Sequence, residues 1–366
     1  MKTGIYIHIP FCLTKCGYCS FFSVPYSREA LDRYVETLLE EIRYFRKGFN
    51  FVADTVYFGG GTPSLLSAGQ INTIVELIEP AGGAEITLET NPVQITPDWV
   101  RTLRTSPVNR LSLGVQSMFD ENLVALGRKH KADSLSDRMK LLRDSEFANI
   151  SLDLMYGLPW FTRYSPEDEL ERYLALQPEH ISTYLLSIED HVPYSHWQKI
   201  LPDDVTTEKQ YIAICRGLER AGFIQYELSN FSLPGRESRH NLHYWLDEDY
   251  IGLGAGASGF IRRQRYKKPE DIELWTHSVQ RGDILYELES ETKAQQKTDF
   301  IIMQFRLTRG LDPQAYKERF GTDFVTDYHD TLERFIASGH ILPGNGFFQL
   351  APKARFVSNH ILQEFA

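Results

Sequence analysis

Six times between residues 3 and 221 a short apolar run gives way to a longer amphipathic one, and this alternation restricts the fold of the 366-residue chain more than any other feature. The apolar runs read as strands: residues 3–9, 54–61, 84–92, 109–117, 149–159 and 179–189. In the first, Ile5, Ile7 and Ile9 alternate with Tyr6 and His8 and the run closes at Pro10. Helix signals lie between them. Ser27 stands as an N-cap before Leu31, Tyr34, Val35, Leu38, Leu39, Ile42 and Phe45, which recur at the spacing of one buried helix face. Ser67 precedes Ile71, Ile74, Val75 and Ile78, and Thr96–Pro97 makes an N-cap and first-turn pair. Helical segments cover 119–147, Ser165–Pro166 opens another helix, and a further one spans 204–221. Apolar strands joined by helices form a parallel sheet covered by helices. Six such units rather than eight predict an α/β chain folded as a partial barrel.

In folds of this kind the chemistry collects where strands end at their C-terminal side. Cys12, Cys16 and Cys19 follow the first strand, GGGTP (59–63) the second, and Glu89 in ETNP the third. Gln116 lies near the end of the fourth strand and Asp153 in the fifth. Three of only four cysteines at the spacing CxxxCxxC argue for metal. Disulfides need an even set and a structural zinc site a fourth ligand, whereas three thiolates serve all but one iron of a cubane cluster and leave that iron open to a small molecule. Glycines at 59–61 let backbone approach a ligand, although a tight strand–helix turn uses the same residues. Glu89 could accept bonds from ribose hydroxyls or serve as a cap, and Gln116 and Asp153 pose the same choice. Arg128 either pairs with a carboxylate or is solvated.

Beyond residue 222 the alternation stops. Residues 223–231 read as one more strand, and RHNLHYW (239–245) and IGLGAGASGF (251–260) as irregular segments closing the barrel's open side. The glycines at 252, 254 and 256 lack the dinucleotide-binding pattern and read as a tight loop. Cys215, on a helix with apolar neighbours, reads as a core thiol. From 290 a helix over 291–307, another over Asp323–Ser338, a hairpin turn at Pro343-Gly344-Asn345-Gly346 and a last helix from Pro352 make a winged-helix-like module. The expected division is 1–222, 223–289 and 290–366. The net charge of −10 excludes a broad nucleic-acid footprint, the run Arg262, Arg263, Arg265, Lys267, Lys268 being read as a solvated loop. No stretch nears the ~20 apolar residues of a membrane span, and no signal peptide precedes the first strand, so the expected location is the cytoplasm.

Taken together, the cysteine loop with Tyr18 before its last cysteine, GGGTP and ETNP resemble the radical S-adenosylmethionine (SAM) superfamily, in the branch of oxygen-independent coproporphyrinogen III oxidase. The likeness in motif order runs over nearly the whole chain. It implies a partial (β/α)6 radical-SAM barrel with a C-terminal helical, winged-helix-like domain, and a 4Fe-4S cluster on Cys12, Cys16 and Cys19. It also implies SAM contacts from Tyr6, Gly60, Gly61, Thr62, Glu89, Gln116, Arg128 and Asp153, and an electron donor for reductive cleavage of SAM. Two features turn away from the oxidase: its pattern continues to CxxxCxxCxC where this chain has Phe21, and it carries an N-terminal arm. HNxxYW (His240, Asn241, Tyr244, Trp245) resembles instead the mark of that branch's haem chaperones, the HemW type. This implies transiently bound haem, with His240 as iron ligand and Tyr244 and Trp245 as flat faces, delivery to haem-accepting proteins, and room for peripheral membrane contact. The alternatives are an oxidase or other tetrapyrrole enzyme, or His240 and Trp245 simply packed against the barrel.

Overall fold

The six predicted barrel strands all form, and the predicted caps hold their helices. The computed structural model describes residues 2–163, 165–282, 287–288 and 291–365. Strands β1 (Lys2–Ile9), β2 (Val52–Gly60), β3 (Glu85–Thr90), β4 (Arg110–Gln116), β5 (Ile150–Tyr156) and β6 (His180–Leu185) run parallel in chain order, each to the next. The helices between them include α1 (Arg28–Gly48), α2 (Ala68–Ile78), α3 (Pro97–Leu103), α4 (Asp120–Ala125), α5 (Ser134–Asp144), α6 (Pro166–Ala175) and α7 (Asp204–Arg220). Ser27, Ser67, Thr96 and Ser165 each accept a backbone N–H of the first turn, and Ser67 with Gln70 completes a capping box.

Because side chains alternate along a strand, each strand shows one face to the helices and one to the barrel interior. The helix-facing set (Ile5, Ile7, Val56, Phe58, Leu88, Leu111, Leu113, Leu152, Ile181) packs with α1 and α2 into the main core. The other set is polar: Tyr6, His8, Thr55, Tyr57, Thr87, Glu89, Arg110, Ser112, Ser151, Asp153, His180 and Ser182. Their mutual bonds, Tyr57 to Glu89, Ser112 to Asp153 and Ser151 to His180, cross from strand to strand inside the barrel.

The segment after α7 departs from expectation. Residues 223–231 split into β7 (Ile224–Gln225) and β8 (Asn230–Ser232), antiparallel, with β8 also pairing β6. Buried Glu227 accepts Ser229 N–H and the Asn230 amide and so turns the chain back on itself. RHNLHYW is a helix, α8 (Arg239–Trp245), capped by Ser238; seven residues are too few for periodicity to reveal it. The glycine segment supplies β9 (Tyr250–Leu253), parallel to β1 on its free side, and β10 (Ser258–Ile261), which pairs with β11 (Gln264–Lys267). With Glu287–Leu288 as β12, the described sheet has twelve strands in the order β12-β11-β10-β9-β1-β2-β3-β4-β5-β6-β8-β7.

The basic run 262–268 is only partly a solvated loop. Arg262 and Arg263 form the β10–β11 turn with positive φ, Arg265 pairs with Glu291 and Asp299, and Lys268 is buried against Glu41. Helix α9 (Ile272–Gln280) then packs on α1.

A second core gathers Phe300, Phe305, Leu311, Tyr316, Phe324 and Leu350 under α10 (Lys293–Arg306) and the following helices. α11 (Pro313–Phe320), capped by Asp312, was not foreseen, and the helix expected over 323–338 is two, α12 (Phe324–Asp327) and α13 (His329–Ala337), broken at Tyr328. The hairpin of β13 (Ile341–Gly344) and β14 (Phe347–Leu350) turns on Asn345 and Gly346, both at positive φ as its two-residue loop requires. In place of one final helix a 3-10 turn at Pro352–Ala354 precedes α14 (Ser358–Leu362).

Candidate functional site

The cysteine loop leaves β1 at Pro10 and returns at Val24, whose N–H donates to the Pro10 carbonyl at 2.6 Å, while Tyr26 N–H donates to that of Cys12 at 3.0 Å. Lys15 Nζ donates to the Phe21 carbonyl at 3.0 Å and draws the loop into a ring around its own cysteines. Cys12, Cys16 and Cys19 are half-buried, free of disulfides, and line one cavity of about 410 Å³. All three thiols face this one cavity, and a cluster takes one thiolate per iron. Thr62 Oγ1 lies 3.7 Å from Cys12 Sγ and Arg128 Nη1 3.7 Å from Cys16 Sγ.

The glycine triplet is what lets the loop sit there. A Cβ on Gly61 would stand 2.8 Å from the Phe11 carbonyl oxygen and 3.0 Å from Cys12 Sγ. One on Gly60, already at φ 114°, would meet the His8 ring at 2.8 Å. Gly61→Ala is therefore expected to strain the loop by about 1–3 kcal/mol. Iron retained after anaerobic reconstitution should fall well below the wild-type ratio; full retention would show that the loop has room to spare.

The strand-end polar residues meet in the same cavity: Glu89, Gln116, Arg128 and Asp153 line it beside Gly60, Gly61 and Thr62. Tyr6 lies behind the glycines, its ring 2.7 Å from where a Gly59 Cβ would be. Glu89 accepts Tyr57 O–H at 2.8 Å and Gly60 N–H at 3.2 Å, so it ties β3 to the glycine turn. Burial pushes its carboxyl up to about 7, and burial likewise lifts Asp153, which accepts Ser112 O–H at 3.4 Å, to about 6. Arg128 does not pair at contact distance with a carboxylate among the described residues. It donates to the Gly114 carbonyl and reaches toward Cys16, and its Nε is buried without a partner among the described residues.

Gln116 sits at φ 73°, a conformation costly for a residue with a Cβ, and its Oε1 is buried and unbonded. What holds it is Glu169, which sequence reasoning missed. From α6 this fully buried carboxylate accepts Ser117 O–H and Met118 N–H (2.7 Å), fixing the turn just past Gln116. Its position within the charged run PEDELER disguised it as a surface residue; only the buried face of α6 singles it out.

A second cavity, of about 420 Å³, adjoins the first and shares Ser20 and Phe21 with it. Phe22, Tyr244, Trp245, Tyr250 and Met303 are among its walls. His240 is not. Only 1% exposed, it bonds through Nδ1 to Thr55 Oγ1 and through Nε2 to Tyr244 O–H, both at 2.8 Å, and stacks on Tyr57. Burial keeps the imidazole neutral, but neither ring nitrogen has a free lone pair for iron in this arrangement, which is at odds with its sequence-based role as haem ligand. Tyr244 and Trp245 do face a cavity as expected, with the Arg306 guanidinium 4.5 Å from the Trp245 ring. Cys215 is half-buried on α7, away from both cavities, its thiol pushed up to about 11 by burial.

Comparison with known proteins agrees with this layout. The family model described as Radical SAM superfamily matches residues 6–173, and that described as HemN C-terminal domain matches 292–357. "Heme chaperone HemW" of Lactococcus lactis is 32% identical, over 98% of this chain and 96% of that protein. The proteins of the same name in Bacillus subtilis and Escherichia coli are each 31% identical, over 100% and 99% of this chain and 99% and 97% of their own lengths. Among solved structures, coproporphyrinogen III oxidase (HemN) from Escherichia coli shares the fold, with a TM-score of 0.83 over 100% of this chain and 90% of that one at 22% identity. Full-length identity above 30% to several HemW proteins, on a barrel with this cysteine loop, shows that the chain belongs to the HemW family of haem chaperones within the radical SAM superfamily.

Proposed function

We propose that this protein is a haem chaperone that carries a 4Fe-4S cluster on Cys12, Cys16 and Cys19, binds SAM in the adjoining part of the same cavity, and holds haem in the aromatic cavity for delivery to acceptor proteins. The observation that carries the reading is the pair of cavities meeting at Ser20 and Phe21, one lined by three thiols and strand-end polar groups, the other by aromatic rings. The three-cysteine donor set fits a cluster with one iron left for SAM, and the orphaned Gln116 Oε1 and the carboxylates of Glu89 and Asp153 offer acceptors for a ligand's hydroxyl and amino groups. When bound, the cluster supplies the electron that opens SAM, delivered to it by a donor protein. The chain's own part is positional. Thr62 and the glycines fix one end of the cavity, Arg128 brings a cation to Cys16, and Glu89 and Asp153 face the middle.

Flat apolar faces at Tyr244, Trp245 and Tyr250 suit a porphyrin. His240 would serve there by orienting Tyr244 through their hydrogen bond rather than by ligating iron. Of the division into a barrel (1–222), a closing segment (223–289) and a C-terminal cover (290–366), the two separate cores support the last boundary, while the closing segment shares the barrel's core through Phe231, Leu253 and Trp275. None of the described helices is long and apolar enough to cross a membrane, and we place the protein's work in the cytoplasm.

The test is a titration of the anaerobically reconstituted protein with haem and, separately, with coproporphyrinogen III. A Soret band that saturates, with an affinity about tenfold weaker in Trp245→Ala and no porphyrin turnover, is the expected result. Vinyl-bearing product from coproporphyrinogen III would establish the oxidase instead.

A further inference from the structure

Barrels of this kind fill their interiors mostly with branched apolar side chains, yet here the interior beneath the cavity holds a buried arginine. Arg110, only 2% exposed, opens β4 directly under the carboxylate layer. The register sets its position: Arg110 stands opposite Thr87, while Ser112, two residues further along the same face, stands opposite Glu89 and donates to Asp153. One such step along a strand is about 7 Å, within the span of an arginine side chain. Arg110 does not line the cavity and makes no contact-distance ion pair among the described residues, and its Nε is buried without a hydrogen-bond partner. Taking a guanidinium out of water is costly unless nearby anions compensate it. The charged and titratable groups that feel it are Tyr57 from β2, Glu89 from β3, Asp153 from β5, His180 from β6, Tyr226 between β7 and β8, and His240 from α8. Both histidines are kept neutral, by burial first and by this cation second or third, so the carboxylates are the groups it can serve.

We propose that Arg110 is the positioning residue of the SAM site, a shared buried cation that keeps Glu89 and Asp153 ionised beneath the ligand so that they can accept its hydroxyl hydrogens. The proposal rests on the reading of this cavity as a SAM site. Burial raises both carboxyls toward neutrality, and Asp153 adds to the rise at Glu89. Arg110 is the foremost group opposing the rise at Asp153, with Ser112 and Arg128 behind it, and at Glu89 it adds to the Tyr57 and Gly60 hydrogen bonds. Without it the protonated forms would persist to higher pH, and a protonated carboxyl has lost much of its capacity to accept.

The experiment measures SAM affinity from pH 5.5 to 8.5 in the cluster-loaded wild type, Arg110→Gln and Arg110→Lys by equilibrium dialysis under anaerobic conditions. In the wild type the affinity should fall as pH drops through about 7. In Arg110→Gln that midpoint should move to higher pH, with several-fold weaker binding at pH 7, while Arg110→Lys should stay near the wild type. A Gln profile parallel to the wild type overturns the proposal, and a wild type that binds no SAM overturns the site reading instead. In that last case melting of the apo protein still decides about Arg110. A carboxyl raised by folding contributes stability that is full below its unfolded value of 4.5 and is lost as pH rises through about 7, and Arg110→Gln should lose more over that window than the wild type. If Arg110→Gln fails to fold, the charge-balanced double variant with Glu89→Gln decides: recovery of folding supports charge compensation, and continued failure shows a packing role alone and overturns it.

Discussion

Glu41→Ala is expected to destabilise the protein by about 3–5 kcal/mol. Glu41 lies on α1, wholly buried, and faces Lys268, equally buried, at 2.9 Å. The same carboxylate accepts Trp275 N–H at 3.2 Å and Gly254 N–H at 2.7 Å. Its removal leaves an ammonium and two N–H donors in the interior, and the rings of Phe45 and Tyr266, 5.2 Å and 5.3 Å from the ammonium, compensate only in part. Denaturant melts would read the loss directly. The double variant Glu41→Leu/Lys268→Met removes both charges and should recover most of it. Equal loss in the single and double variants would show that the carboxylate acts through Gly254 and Trp275 rather than through the charge pair. The effect should reach the site, because this anchor fixes the Gly254 turn, where Tyr34 accepts Ala255 N–H and donates to the carbonyl of His8.

Cys16→Ala should remove the cluster while leaving the fold standing. With only three cysteines in the loop, each would hold one iron of the proposed cluster and none is redundant. Cys215 cannot stand in, since it sits on α7 outside the cavity with a thiol held protonated by burial. Iron after reconstitution should drop from about four per chain to under about one, and SAM affinity should fall by about a hundredfold or more with it. Because the Cys16 side chain is half-exposed and packs no core, the melting temperature of the apo protein should shift by no more than about 2 °C. A variant that keeps a full complement of iron would reveal a fourth protein ligand and close the iron that SAM needs.

How much of this was legible in the sequence depends on the range over which each feature is determined. Strands β1 to β6 and helices α1 and α2 were read directly because their periodicity and their serine caps are local. The Asn345–Gly346 turn was legible for the same reason, since its two residues carry the positive φ that the turn demands. The site residues at strand ends could be named because a parallel barrel sends all of those ends to one rim, and the structure brings Cys12, Cys16, Cys19, Glu89, Gln116, Arg128 and Asp153 to one cavity.

What tertiary structure decided is which polar residues face inward and which partners they keep. His240 looked like an available imidazole in HNxxYW, but whether its lone pairs are free depends on Thr55, 185 residues away. Glu169 and Lys268 sit in charged stretches that look solvated, and each is buried by a contact with residues 52 and 227 positions distant, Ser117 and Glu41. Short elements such as α8 escaped notice because seven residues complete barely two turns, too few for a period to stand out. The sequence by itself determined the order of strands and helices and the chemistry gathered at their ends, because hydrophobic periodicity, caps and the cysteine spacing are written within a few residues. Only the folded chain decided the protonation, partners and strain of that chemistry, because burial and charge proximity are properties of groups brought together from distant strands.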